Sequence, residues 1–256
     1  MPGNLVEAYR AGIIATASPF TGSHGISNHK RLSNEPQILA LQKYLLQQQN
    51  GRAILRSFMG KGEITRQQIL DHAVALASKV GLDGLTIGGL ADDLSMSKSG
   101  LYAHFQSKEA LQLKTLEEGA AKFIETVVKP AIKAPRGEPR LRALFENWCQ
   151  WPKQSSLQGG CLFVQAAAEF DDFAGPVKDR LVALQKDWLD VLVGAARIAI
   201  NEGYFKADAD AEQFAYELYG IMLMYHHSAR LLGDPKAEQR ARAAFESLLN
   251  SNRPTN

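Results

Sequence analysis

From Glu63 onward the sequence is punctuated as a succession of helices. Stretch after stretch opens on a residue that caps a helix N-terminus and closes on one that stops it, and none alternates apolar and polar residues between turns. A sheet with one buried face needs that alternation, so the expected fold class is all-α. Thr65 and Gln68 have the spacing of a capping box, and Ile69, Ala73, Leu76 and Val80 follow as one apolar stripe ending at Gly81. Thr86 is a second N-cap, leading Ile87, Leu90, Ala91 and Leu94. That short helix contains Gly88-Gly89, each costing about 1 kcal/mol relative to alanine, so tertiary contacts must hold it. Ser97 caps a third short helix and Ser107 a longer fourth, with Lys108 and Glu109 in its first turn. Beyond residue 115 the helices lengthen. One runs toward Pro130, one opens at Pro139 and carries Trp148 and Trp151, and one runs from Pro176 to near Gly203. Asp208 or Asp210 caps the next, through about Leu232, and Asp234-Pro235 begins the last, to about Asn250.

Residues 1–58 read differently. Gly, Ser, Pro and Asn are scattered through 16–36, and the glutamine-rich segment 38–55 offers one weak helical pattern interrupted at Gly51. A single weak helix flanked by coil cannot bury its own face, so this part is expected to be a disordered extension, with Met59 as an alternative start of the biological chain. The organisation expected is thus an extension at 1–58, a three-helix unit at 59–110 and a larger helical domain at 111–256. The formal charge of +2 over 256 residues gives no global attraction to nucleic acid or membrane, so any such binding depends on local placement. Cys149 and Cys161 cannot build a disulfide framework, and no apolar run approaches a membrane span; a soluble cytoplasmic protein is expected.

The third helix, within LSMSKSGLYAHFQSKEAL (94–111), has an unusual outer face. At 100° per residue Leu101 and Phe105 fall together on the buried side, with Met96 beside them. Ser99, Gly100 and Ala103 point outward, Lys98 and Tyr102 occupy one flank, and His104 the other. Small residues at the centre let a helix backbone approach base edges in the major groove, about 12 Å wide, while flanking Lys, Tyr and His reach phosphates. The preceding helix joins it through a short turn, a helix-turn-helix arrangement. Thr86 and Lys108 add donors at helix N-termini, where the dipole favours phosphate. Residues 61–108 are not basic overall, and helix-turn-helix units also occur in proteins that bind no nucleic acid.

The stretch from about 63 to 111 resembles the DNA-binding domain of the TetR/AcrR family of bacterial transcriptional regulators. The resemblance rests on the T-I-x-x-L-A start at Thr86, the S-K-S-G-L-Y-x-H-F helix at 97–105 and the S-K-E-A-L entry to the fourth helix. It implies a homodimer whose two recognition helices read a pseudo-palindromic operator in double-stranded DNA, usually to repress. Carried over by position, the DNA contacts are Thr86, Lys98, Ser99, Gly100, Tyr102, His104 and Lys108. Ser95 stands in the turn where relatives commonly have glycine, so a strained turn is expected there.

In the family the remaining helices hold a small-molecule effector and a dimer face. Two apolar stripes, Phe214, Leu218, Ile221 or Met222 with Tyr225, and Ala241, Ala244, Phe245 with Leu248, are expected to pair with their symmetry mates. Trp148, Trp151, Phe163, Trp188, Tyr225 and His226 are candidates for an apolar or aromatic effector pocket. Cys161 joins them: after Gly159-Gly160, at a helix start, the dipole can lower a thiol pKa, which makes an electrophile sensor the alternative form of the same regulator. His226 and His227 are adjacent rather than four apart, so no metal site is expected, nor any cofactor. A small enzyme with Cys161 as nucleophile is a remote alternative, since no motif orders Cys, His and Asp recognisably. A membrane-surface module using Lys43, Arg52 and Arg56 is opposed by weak periodicity in 38–58.

Overall fold

The computed structural model describes residues 61–255, with side chains from Arg66 onward. The expected extension and the Met59 alternative lie outside the described residues. Among those described, all regular structure is helical. The chain runs through α1 (Lys61–Val80), α2 (Ile87–Asp93), α3 (Lys98–Phe105) and α4 (Lys108–Phe123). A π-helical segment (Ile124–Val128), α5 (Lys129–Ile132), α6 (Glu138–Gln150) and a 3-10 turn (Trp151–Lys153) follow. The remainder is α7 (Leu162–Glu169), α8 (Pro176–Asn201), α9 (Ala211–Arg230) and α10 (Ala237–Asn252).

Most expected starts hold because capping is local. Thr86 Oγ1 accepts from Gly89 N at 3.0 Å, Ser97 Oγ from Gly100 N at 3.2 Å, Ser107 Oγ from Ala110 N at 3.0 Å and Asp210 Oδ1 from Gln213 N at 3.0 Å. Thr65 is the exception: it lies inside α1, which is already helical at Lys61. Once a helix is nucleated each residue adds a backbone bond, and an interior threonine costs under about 1 kcal/mol, so the helix runs through the expected cap. The π-helical segment just before Pro130 also has a physical cause. Proline lacks the N–H that would reach Thr126, and its ring crowds that carbonyl, so the local register widens.

Two hydrophobic clusters share α4. Leu111, Leu116 and Ala120 join Ile69, Leu82, Leu90, Leu101 and Phe105 in the first, which continues without a break into Leu162 and Ala166 of α7, Phe170 just after it and Leu181 of α8. Phe123, three residues past Ala120, enters the second with Trp148, Trp151, Trp188, Phe214, Met222 and Phe245. The three-helix unit is therefore packed on the rest of the molecule through a common core.

The second cluster corrects the expected dimer stripes. Phe214, Leu218, Met222, Tyr225, Ala241, Phe245 and Leu248 are buried in this subunit's own core, so they cannot be the face offered to a partner. Apolar periodicity identifies a stripe but not its neighbour, and here α8 and α6 cover it. The side chains left exposed on this end are Leu223, Met224 (56%), Leu231 (73%) and Leu232 (60%). Met224 and Leu232 line a groove of about 710 Å³ between α9 and α10, together with Gly220, Ala241 and Ala244.

Candidate nucleic-acid interface

α3 is a short helix seated by Leu101 and Phe105, both buried, with half-buried Met96 packed beside them. Its other side carries Lys98, Ser99, Tyr102 and Ala103 in the open, with Gly100 and His104 half-buried. Tyr102 is 54% exposed, unusual for a ring on a packed helix. Gly100 is small for a reason internal to the cap: a Cβ there would stand 3.1 Å from Ser97 Oγ. The turn feeding the helix has Ser95 at φ 53°, closed by Ser95 N to Asp92 O (3.2 Å) and Met96 N to Ala91 O (2.9 Å). The strain expected of a non-glycine residue there is present.

Three candidate contacts converge on the segment 83–88. Thr86 caps α2. The Lys98 side chain lies over Gly88, its Cε 3.6 Å from where a Cβ would be. Lys108, at the start of α4, reaches back to Asp83, with Nζ to Oδ1 at 2.9 Å. Ser99 Oγ turns toward Ser97 Oγ at 3.3 Å, while Tyr102 and His104 stay on opposite flanks of α3, His104 tilted over Phe105. The surface is a helix with a small outward centre, bordered by three capped N-termini and two lysines.

The effector candidates separate into groups. Trp151, Phe163 and Trp188 surround Phe123, each ring edge-on to it, with centroids at 5.4, 6.0 and 5.0 Å. Trp151 Nε1 and Trp188 Nε1 are buried without an oxygen or nitrogen acceptor. Gln185 ties the far wall, donating to Phe163 O at 3.1 Å and accepting from Tyr219 Oη at 2.7 Å. Trp148 pairs instead with Tyr225, 6.5 Å away, and Tyr225 also lines the α9–α10 groove. His226 and Cys161 form a third group, with Cys161 N–H donating to His226 Nε2 at 3.3 Å. Burial, and secondarily the Arg230 and His227 charges, lower the His226 pKa to about 4, so its ring is neutral and serves as an acceptor.

Comparison with known proteins decides what this arrangement belongs to. Residues 69–114 match the model for bacterial regulatory proteins of the tetR family, and residues 137–245 match that for the tetracyclin repressor-like C-terminal domain. The chain belongs to the TetR family. Among curated relatives it is similar to the biofilm operon negative transcriptional regulator IcaR of Staphylococcus epidermidis, 30% identical over 64 residues. That match takes in 25% of this chain and 35% of IcaR, so the chain spans about a third of the length of that relative. A TetR regulator from Chloroflexus aurantiacus shares the fold with a TM-score of 0.67 at 24% identity, over 75% of this chain and 96% of that one. AibR, solved with isovaleryl coenzyme A and operator DNA, does so with a TM-score of 0.59 at 24% identity, over 72% and 98%.

Within this TetR-family chain one expectation at Cys161 is corrected. The residue does sit at the N-cap of α7, but it is buried, and desolvation raises its thiol pKa against the weaker backbone interactions that lower it. Burial thus overrides the helix dipole, and with the His226 nitrogen facing the Cys161 backbone N–H the two do not form a thiolate–imidazolium pair. Among the described residues no three His, Cys, Asp or Glu side chains are grouped to hold a metal, and no helix is long and apolar enough to cross a membrane. Sequence reasoning missed Phe123, the centre of the aromatic group, and Asp83, the partner of Lys108. Each is brought to its place by contacts spanning tens of residues, for which no local signal exists.

Proposed function

We propose that this chain is a ligand-responsive repressor of transcription. It acts in the cytoplasm as a homodimer, binds a pseudo-palindromic operator in double-stranded DNA through α3, and leaves it when a small molecule occupies the helical core. Its work is binding rather than catalysis. The observation that carries the reading is α3 itself, seated by Leu101 and Phe105 and presenting Ser99, Gly100 and Ala103 between Lys98, Tyr102 and His104. Small residues admit the helix to base edges, and the flanking donors, with Thr86 and Lys108, hold phosphates. AibR, with the same fold and operator DNA bound, supports the docking mode.

The effector seat is the aromatic group of Trp151, Phe163 and Trp188 around Phe123, with Trp148, Tyr225, Cys161 and His226 at its margin. An aromatic or apolar molecule bearing a neutral hydrogen-bond acceptor suits it, because the Trp188 indole N–H would gain the acceptor it lacks and the Trp151 N–H, which meets only the Cys161 sulfur, a stronger one. The dimer forms through α9 and α10, across the exposed Gly220, Leu223, Met224 and Ala244 face, setting the two α3 helices about 34–36 Å apart. An effector that binds the wrong spacing better shifts the population off DNA.

The test is fluorescence anisotropy of the full chain on a duplex recovered from it by random-sequence selection, against a scrambled duplex across a salt series. Expected is binding at least a thousandfold tighter to the selected duplex, strengthening as salt falls. Equal binding to both would end the proposal.

A further inference from the structure

Resting on the reading of α3 and Lys108 as a DNA-binding surface, the geometry points to Asp83 as an internal competitor for the phosphate contact of Lys108, held in position by Glu169 of the effector domain. Lys108 is not a free cation: its Nζ donates to Asp83 Oδ1 at 2.9 Å. Asp83 is in turn fixed by two elements. Its backbone N–H donates to Glu169 Oε2 at 2.9 Å, at the last residue of α7. The adjacent Leu82 carbonyl accepts from buried Gln112 Nε2 of α4 at 2.9 Å. The Glu169 carboxylate also fills the space above Gly81, where a Cβ would stand 2.0 Å from Oε1. The loop from Gly81 to Asp83 therefore cannot drift from Lys108 without displacing Glu169.

A phosphate approaching the N-terminus of α4 meets Lys108 already paired, with a carboxylate of the phosphate's own sign beside it. Both partners are roughly half exposed, so the pair itself is weak and a phosphate can displace Asp83. The consequence lies on DNA rather than on folding: the carboxylate subtracts about one counterion's worth of attraction wherever α4 faces a phosphate. Glu169 acts as a positioning residue, since it orients Asp83 and touches no DNA. Because α7 also belongs to the core of the effector domain, the masking is strongest while α7 stays docked on the Gly81–Asp83 loop.

The experiment compares the full chain with Asp83→Asn, Lys108→Ala and the double variant, by anisotropy on the selected duplex and on the scrambled one from about 50 to 300 mM salt. Asp83→Asn keeps the backbone bond to Glu169 and an exposed amide of the same shape, and its circular dichroism should be unchanged. Expected is a three- to tenfold tighter complex on both duplexes at low salt, with the slope of log K against log salt steeper by about one. In the Lys108→Ala background the Asp83 substitution should give a clearly smaller gain, what remains being the relief of direct carboxylate–phosphate repulsion. Unchanged or weaker binding by Asp83→Asn, while Lys108→Ala loses affinity, would overturn the masking and leave the regulator standing. If the unaltered chain selects no sequence at all, the regulator reading falls and the competition with it.

Discussion

Ser95 and His226 show how single residues here are set by what surrounds them. Ser95 holds φ 53° in the turn between α2 and α3, where an L side chain costs roughly 1–2 kcal/mol and glycine little. Part of that gain returns as unfolded-state entropy, so Ser95→Gly should raise unfolding stability by about 0.5–1 kcal/mol, read as a higher urea midpoint with an unchanged m-value. His226 argues through pH. An unfolded histidine titrates near 6.5, whereas the buried ring stays neutral down to about 4. Between those values the unfolded chain takes up a proton that the folded one refuses. Stability is therefore complete above about 6.5 and drains as pH falls toward 4, by on the order of 3 kcal/mol at most. His226→Gln keeps an acceptor for the Cys161 N–H but no titration, so its denaturant midpoint should fall less than that of the unaltered chain between pH 7 and 4.5. Parallel losses would mean that His226 is solvated. The strained turn was legible in the sequence, because the residue type and the turn lie side by side. The state of His226 was not, because it follows from a loop 65 residues away.

At the scale of elements, α7 joins the DNA-binding helices to the effector core. Gly159, just before it, approaches α1 so closely that a Cβ would sit 1.2 Å from the Ser78 carbonyl oxygen, and its N–H donates to Ser78 Oγ at 3.2 Å. On the other side the Arg230 guanidinium donates to Gln158 O and His226 accepts from Cys161. Gly159→Ala cannot be absorbed by a rotamer change, since the obstacle is backbone. It should lower the melting temperature by several degrees and split one thermal transition into two, followed by scanning calorimetry, as α1–α3 lose their support. A single unbroken transition at the original temperature would show that the loop is not what couples the two cores. The glycine pair stood out in the sequence only as a helix start. Its role as a contact with α1 depends on Ser78, 81 residues earlier, and no periodicity connects the two. The caps at Thr86, Ser97, Ser107 and Asp210 were legible for the opposite reason, each donor lying three residues from its acceptor.

For the whole molecule, what matters is which apolar surface remains after the chain has buried its own core. The stripes containing Phe214, Leu218, Phe245 and Leu248 are consumed internally, yet Leu223, Met224, Leu231 and Leu232 stay exposed, Met224 and Leu232 of them lining a groove of about 710 Å³. Covering a leucine or methionine side chain stabilises by about 1.5–3 kcal/mol, and across a twofold axis every such residue counts twice. Glycine at 220 and alanine at 244 let two helices approach closely along that groove. Met224→Arg places a charge in the face at both copies while leaving the buried stripe of Phe214, Leu218 and Met222 untouched, because Met224 is 56% exposed. The variant should elute at the chain mass of 28.1 kDa in light-scattering chromatography at about 10 μM, whereas the unaltered protein is expected at twice that mass. Its circular dichroism should match, but a palindromic duplex should bind about a hundredfold or more weakly, since one half-site no longer raises the effective concentration at the other. A Met224→Arg protein that stays dimeric and keeps its affinity would move the interface off α9 and α10, and the spacing of the two recognition helices would have to be set by another face.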